Sequence, residues 1–199
     1  SAARGMCLQH PHDIAVNSLG GLIIADSGNR ALQQFNRVGD HQKTIDMAKL
    51  SGNPAVQIRS VCTTPDGAIY TADFDRCIVY CLNPNGTPRW ILDLKNRYPE
   101  INVLRGVTVH ENRIMACVRG PYFIYILSFD GRLIKKFGTR GNGTDQFRNP
   151  AKVIRMHSGN YLVVDKENDR LVVYDDVWTY RGHFGDRLQS SLAAESRGE

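Results

Sequence analysis

Short apolar runs separated by turn residues recur along this chain on a fixed period. Ile14, Val61, Val107 and Val153 open the repeating unit at intervals of 47, 46 and 46 residues, and Phe35, Leu82, Leu127 and Tyr174 close its third run at 47, 45 and 47. The second run is the clearest, at residues 22–25, 68–72, 113–118 and 161–164. Its residues are mostly apolar rather than strictly alternating, the pattern of a strand covered on both faces. A period of this length in strand-forming sequence predicts a repeated β-sheet unit and speaks against most enzyme architectures.

The polar positions between the runs supply the turns. Leu19-Gly20-Gly21, Pro65-Asp66-Gly67, Glu111-Asn112 and Ser158-Gly159-Asn160 separate first from second strands with residues that tolerate positive φ, which predicts tight antiparallel hairpins. Asp26, Asp73 and Asp165 end the second strand of units one, two and four, where a short carboxylate is expected to accept backbone N–H groups of the following turn. Unit three has Cys117-Val118-Arg119-Gly120-Pro121 instead. Gly39, Gly86 and Gly131 follow the third strands, Trp178 takes that place in unit four, and a fourth strand is clearest at 133–138 and 180–185. Four antiparallel strands per unit give an all-β fold, a β-propeller of four-stranded blades. The expected organisation is a lead-in at 1–10, propeller blades over 11–185 (about 11–50, 51–100, 101–148 and 149–185) and a loose, flexible tail at 186–199.

The stretches Pro11-His12-Asp13-Ile14-Ala15-Val16 with Ile24-Ala25-Asp26-Ser27-Gly28-Asn29-Arg30, and Gln146-Phe147-Arg148-Asn149-Pro150 with Val164-Asp165-Lys166-Glu167-Asn168-Asp169-Arg170, resemble the NHL repeat. Unit two keeps Ala72-Asp73 with a shorter polar turn, and unit three keeps 104–109 but lacks the aspartate. The repeat is found in six-bladed propellers of tripartite-motif NHL proteins. That resemblance implies that these four blades belong to a larger ring, either a longer propeller or one completed by another chain. It also implies a propeller face that binds RNA or a protein partner, in some members downstream of a RING ubiquitin-ligase module. No zinc-ligand spacing of that module occurs in this sequence.

Charge and cysteine usage narrow the setting. The chain carries 25 Lys and Arg against 20 Asp and Glu, a net +5 with a pI near 9.0, which favours a polyanion such as RNA. Cys7, Cys62, Cys77, Cys81 and Cys117 form an odd set without a CxxC pair, so neither a disulfide framework nor a zinc module is indicated, and a reducing, cytoplasmic setting is expected. No apolar stretch approaches bilayer-spanning length, so no membrane partner is expected.

Candidate chemistry comes from residues that share a repeat position. His12, Arg59 and Arg105 are 47 and 46 residues apart, with Lys152 beside the corresponding Ala151. In a propeller such positions gather around the axis, which predicts a positive rim. The turn after strand two adds Arg30, Arg76, Arg119, Tyr122, Phe123 and Arg170, with Asn29, Lys166 and Asn168. There, guanidinium groups would contact phosphates and exposed aromatics would stack on bases. The purely structural alternative pairs Arg30 with Asp26 and Arg170 with Asp165, and buries Phe123 in a third strand. The stripe of Arg132, Lys135, Lys136 and Arg140 reads as a solvated outer strand.

Three functions are open at this point. The first is a non-catalytic platform for single-stranded or hairpin RNA, needing no metal or cofactor. The second is a protein–protein interaction scaffold that recruits a partner across the same face. The third is a metal-dependent propeller lyase or hydrolase, since NHL repeats are also similar to amidating lyases. Of the six histidines, only His110 and His157 share a repeat position, in a hairpin turn expected to face away from the rim. No GxSxG, HExxH or P-loop pattern is present, so the segment is expected not to be an enzyme.

Overall fold

The computed structural model describes residues 7–185, so the expected tail at 186–199 and the start of the lead-in lie outside the described residues. Sixteen strands form four separate four-stranded sheets. The first blade comprises β1 (Pro11–Val16), β2 (Leu22–Asp26), β3 (Ala31–Phe35) and β4 (His41–Asp46). The second comprises β5 (Ile58–Thr63), β6 (Ile69–Asp73), β7 (Ile78–Leu82) and β8 (Pro88–Asp93). The third comprises β9 (Val103–His110), β10 (Arg113–Arg119), β11 (Ile124–Ser128) and β12 (Leu133–Phe137). The fourth comprises β13 (Pro150–Arg155), β14 (Tyr161–Asp165), β15 (Arg170–Tyr174) and β16 (Tyr180–Gly185).

Every pairing within the blades is antiparallel and each blade runs in chain order from its first to its fourth strand. β1 packs on β5, β5 on β9 and β9 on β13, so the first strands are innermost and the fourth strands form the outer edges. This is the all-β propeller architecture expected from the period. Second strands lie within the blades and carry apolar residues on both faces. All five residues of β6 are buried, and Tyr70, Ala72, Val79 and Cys81 of blade two pack in one cluster with Val107, Ile114, Ala116 and Tyr125 of blade three.

The two end faces differ from the interior ones in a repeat-specific way. Val61, Val107 and Val153 are at most 1% exposed because each lies against the preceding blade, whereas the equivalent Ile14 is 54% exposed. On the opposite face, Leu32, Val79 and Ile124 are fully covered by the following blade, whereas the equivalent Leu171 is 37% exposed, beside Phe184. A side chain of this size gains about 1.5–3 kcal/mol on full burial. The two end faces are therefore built like interfaces but have no neighbour among the described residues.

The turn between third and fourth strands is the contact that registers one blade on the next. Gly86 and Gly131 have φ of +82° and +79°, and a Cβ there would lie 2.7 Å from Ile45 and 2.6 Å from Leu92 of the preceding blade. Gly39 of the first blade has the same turn with open space before it. In blade four the position is Trp178, held at φ +66°. Its indole stacks on Tyr161 with centroids 4.2 Å apart and packs on Phe137 of blade three at 5.1 Å. An aromatic plug thus replaces the close backbone approach that glycine permits elsewhere.

The blade aspartates hold a different segment from the one expected. Asp26 Oδ1 accepts from Gln9 N at 2.7 Å, and Asp165 Oδ1 from Arg148 N and Asn149 N, each at 3.0 Å, so both carboxylates fasten the lead-in to their own first strand. Of the three, only Asp73 accepts backbone N–H groups of the following turn, from Asp75 N and Arg76 N. The second oxygen of Asp26 takes Asn29 and Gln33, and Arg30 makes no bond to it, which corrects the expected Arg30–Asp26 pair. The Arg170–Asp165 pair does form, at 3.2 Å, with both side chains buried.

Candidate functional site

One irregularity recurs at the start of every innermost strand. The register slips by one residue between Pro11 and Asp13, Ile58 and Ser60, Leu104 and Gly106, and Pro150 and Lys152. The extra residue of each bulge is His12, Arg59, Arg105 and Ala151. A bulge leaves its extra residue unpaired and re-aims its side chain, so the 47- and 46-residue spacing becomes a spatial ring. His12, Arg59 and Arg105 converge on one mouth with Phe74, Ala151, Lys152, Lys166, Asp13 and Ser60, around a cavity of about 350 Å³.

Within that mouth Phe74 is the platform, and repeat spacing alone did not single it out. Arg59 lies over its ring with the guanidinium carbon 3.8 Å from the centroid, and Arg105 lies 5.0 Å from the same centroid. Phe74 directly follows the strand-ending Asp73, and its carbonyl accepts Leu104 N at 3.1 Å, which ties the platform to blade three. Arg59 donates to Gln57 Oε1 at 2.5 Å. Among the described residues neither arginine has a carboxylate within ion-pair distance, and the Nε of each is buried without an acceptor. Burial, followed by the like charges of Arg119 and Arg59, pushes the Arg105 guanidinium below its ordinary value, although an arginine stays charged at neutral pH. Partial desolvation and then Arg59, His10, Lys166 and Arg105 hold His12 below its usual 6.5.

Lys152 departs from the expected rim. It stands one residue past the bulge, in line with Asp13, Ser60 and Gly106, and a one-residue step turns a strand side chain to the opposite side. Its ammonium bonds Asp13 Oδ2 and the Val61 carbonyl. The same Asp13 oxygen accepts Val61 N at 2.8 Å and Ser60 Oγ at 3.2 Å. Lys152 is therefore a neutralised floor residue spanning blades one, two and four. Gly106 completes this level because a Cβ there would meet Ala151 O at 2.2 Å.

The loop residues scatter. Arg30 is exposed at φ +54° and borders a shallow groove that joins the mouth through His12 and Arg59. Arg119 lies on the blade-three side, 3.9 Å from Glu167. Arg76 is exposed on its turn and lines no part of the mouth. Tyr122 sits under Arg140, 5.6 Å from its guanidinium carbon, and Phe123 packs into the blade-two and blade-three core beneath Lys136 at 4.6 Å. Phe123 is therefore packed in the core between blades two and three, which corrects the expectation of an open stacking platform there, and Tyr122 lines no part of the mouth. Arg170 is corrected as well. Its side chain is 4% exposed and its donors are taken by Asp165 and the carbonyls of Asn142, Gly143 and Gln146.

The arrangement places two guanidinium groups and an imidazole over a closed ionic floor, with Lys166 at the edge, a local charge suited to an anion. His10 lines the groove beside His12, and three other histidines are engaged away from the mouth. His41 contacts Gln33 and Thr44, His110 approaches Glu111 at 3.2 Å, and His183 Nδ1 is bonded to Tyr180 at 2.6 Å.

Residues 8–35 match the NHL repeat family. No curated protein sequence matches the chain. Among solved structures it is similar to a streptogramin B lyase (14% identity, TM-score 0.68, 92% of this chain and 56% of that one). It is similar to a chain of the nidogen/laminin complex (17%, TM-score 0.69, 90% and 65%) and to virginiamycin B lyase from Staphylococcus aureus (14%, TM-score 0.64, 88% and 55%). The chain spans between about half and two thirds of the length of the solved structures it matches. Likenesses at these identities show the fold alone.

They also overturn one expectation. The propeller period and the lack of nucleophile or metal motifs pointed away from enzymes, yet the streptogramin B and virginiamycin B lyases are enzymes on this same fold. A propeller can build a reactive site from side chains of several blades, which no linear motif reveals. The fold and the missing motifs therefore do not make this segment non-catalytic.

Proposed function

We propose that this propeller binds RNA through the mouth formed by the first-strand bulges, in a cytoplasmic protein whose ring is completed by further blades. The observation that carries this reading is the pair Arg59 and Arg105, stacked on Phe74 and facing one cavity with no carboxylate partner among the described residues. Guanidinium groups offer forked donors matched to phosphate oxygens. His12 and Lys166 extend the positive field, and Arg30 continues it along the neighbouring groove. Tyr122 and Phe123 line no part of the mouth, so recognition there is of phosphate, and sequence preference falls to the surrounding loops. The NHL match at 8–35 and the open end faces support a larger ring of this kind.

Binding of single-stranded RNA pools at several salt concentrations tests the proposal. The expected result is affinity that falls as salt rises, because each neutralised phosphate releases counterions. Affinity for a protein partner with no affinity for RNA would favour the scaffold reading, in line with a neighbour that belongs to a protein complex.

A further inference from the structure

We infer that the mouth is a socket for a terminal phosphate, taking the dianionic phosphomonoester at an RNA end rather than a phosphodiester within the strand. The inference rests on the proposed RNA-binding role of the same site and adds which part of the ligand enters it.

Three features of the cavity lead there. The first is its closed floor. Asp13, Ser60 and Lys152 are bonded to one another beneath the bulge residues, so a strand cannot thread along the axis here. The walls come from His12 of blade one, Arg59 and Phe74 of blade two, Arg105 of blade three, and Ala151 and Lys166 of blade four. A chain end enters alone, whereas a phosphate within a strand would have to bring both flanking nucleotides down with it. At about 350 Å³ the space is at the small end of the range for small-ligand sites.

The second feature is charge. Asp13 is the acid lining the cavity and is already matched by Lys152, which leaves Arg59, Arg105 and Lys166 as three cations lining the space without counter-charge among the described residues. A phosphomonoester near neutral pH carries up to two negative charges, and a phosphodiester carries one. Three lining cations are offset more fully by the former. The third feature is the stacking of both guanidinium groups on Phe74, 3.8 and 5.0 Å from its centroid, which fixes two forked donors side by side. A terminal phosphate presents three unesterified oxygens, enough to engage both forks together, and a diester presents two.

The test compares one short single-stranded RNA prepared with a 5′-phosphate, with a 3′-phosphate, or with hydroxyls at both ends, titrated against the unmodified protein by fluorescence anisotropy. Inorganic phosphate and a nucleoside monophosphate serve as competitors. The expected result is that an end-phosphorylated form binds at least about tenfold more tightly than the hydroxyl form. Inorganic phosphate is expected to remove that advantage without abolishing the remaining binding. Arg59→Gln and the charge-preserving Arg105→Lys are both expected to shrink the advantage. Equal binding of all three RNAs would overturn the socket while leaving RNA binding intact. A nucleoside monophosphate that binds as tightly as the phosphorylated RNA would keep the socket and overturn RNA as its ligand. No binding of any RNA or phosphate would overturn both.

Discussion

The ammonium of Lys152 bonds the carboxylate of Asp13 across 139 residues of sequence, joining the innermost strands of the fourth and first blades. The two side chains are 24% and 15% exposed, and the carboxylate also holds Val61 N and Ser60 Oγ of the second blade. One ion pair thus connects three blades at the level directly beneath the bulge residues.

Lys152→Met leaves Asp13 charged and short of its strongest partner. Removing one member of a fully buried pair costs about 3–5 kcal/mol, and the residual solvent contact here places the expected loss nearer 2–3 kcal/mol. Urea denaturation of the single variants and of Asp13→Asn/Lys152→Met is expected to show a double variant less damaged than the sum of the singles. Additive losses, or single losses below about 0.5 kcal/mol, would remove the pair from its structural role.

At Trp178 two effects oppose each other. Trp178→Gly relieves a left-handed backbone at φ +66°, worth about 1–2 kcal/mol. It also removes a side chain that is 8% exposed and stacked on Tyr161, a loss of about 3–5 kcal/mol for a large aromatic truncation. Packing wins, so the variant is expected to be less stable by about 2–3 kcal/mol in chemical denaturation. Equal or higher stability would mean that the aromatic plug is not holding blade four to blade three.

The thiols are expected to differ in reactivity. Burial pushes Cys117 up to about 12 and Cys77 up to about 11, whereas Cys7 is exposed. Thiolate is the reactive form. Alkylation near pH 8 followed by peptide mass spectrometry is expected to label Cys7 while Cys77 and Cys117 stay unmodified until the protein is unfolded. Early labelling of Cys117 would contradict its enclosure between blades three and four.

His12 gives the mouth a pH dependence. Its folded-state pKa lies below 6.5 because burial and surrounding cations disfavour the imidazolium, so its contribution to stability is present above 6.5 and declines as pH falls through that value. An entering anion offsets those cations and draws a proton onto the ring. For an RNA with hydroxyl ends, whose phosphodiesters do not titrate in this range, affinity is therefore expected to rise from pH 7.5 to 5.5 and to lose this rise in His12→Ala. A pH profile that is flat or unchanged by the substitution would separate His12 from the ligand.

Much of this was legible because a propeller turns sequence period into spatial neighbourhood. The spacing of Ile14, Val61, Val107 and Val153 marked the innermost strands, and the spacing of His12, Arg59 and Arg105 marked the shared bulge. What the period did not decide was whether Lys152, one residue past the equivalent Ala151, still reaches the rim. Lys152 looked like the fourth rim cation, but the bulge residue is Ala151, and Lys152 belongs with Asp13, Ser60 and Gly106. The identical spacing of that second series was the available signal. Phe74 was missed because its repeat mates are Ser27 and Lys166, so no periodic residue type marks the platform. Arg170 and Phe123 were misplaced as ligand contacts because a polar turn sequence does not reveal whether a donor is already saturated or a ring already packed.

The most direct measurement is the salt dependence of RNA binding for the unmodified protein and for Arg59→Gln/Arg105→Gln, with circular dichroism confirming that both remain folded. If the bulge residues gather their cations onto a phosphate-binding mouth, the paired substitution lowers affinity and reduces the slope of log affinity against log salt by about one for each contact removed. Affinity and slope that match the unmodified protein would show that RNA, if it binds, binds elsewhere on the propeller.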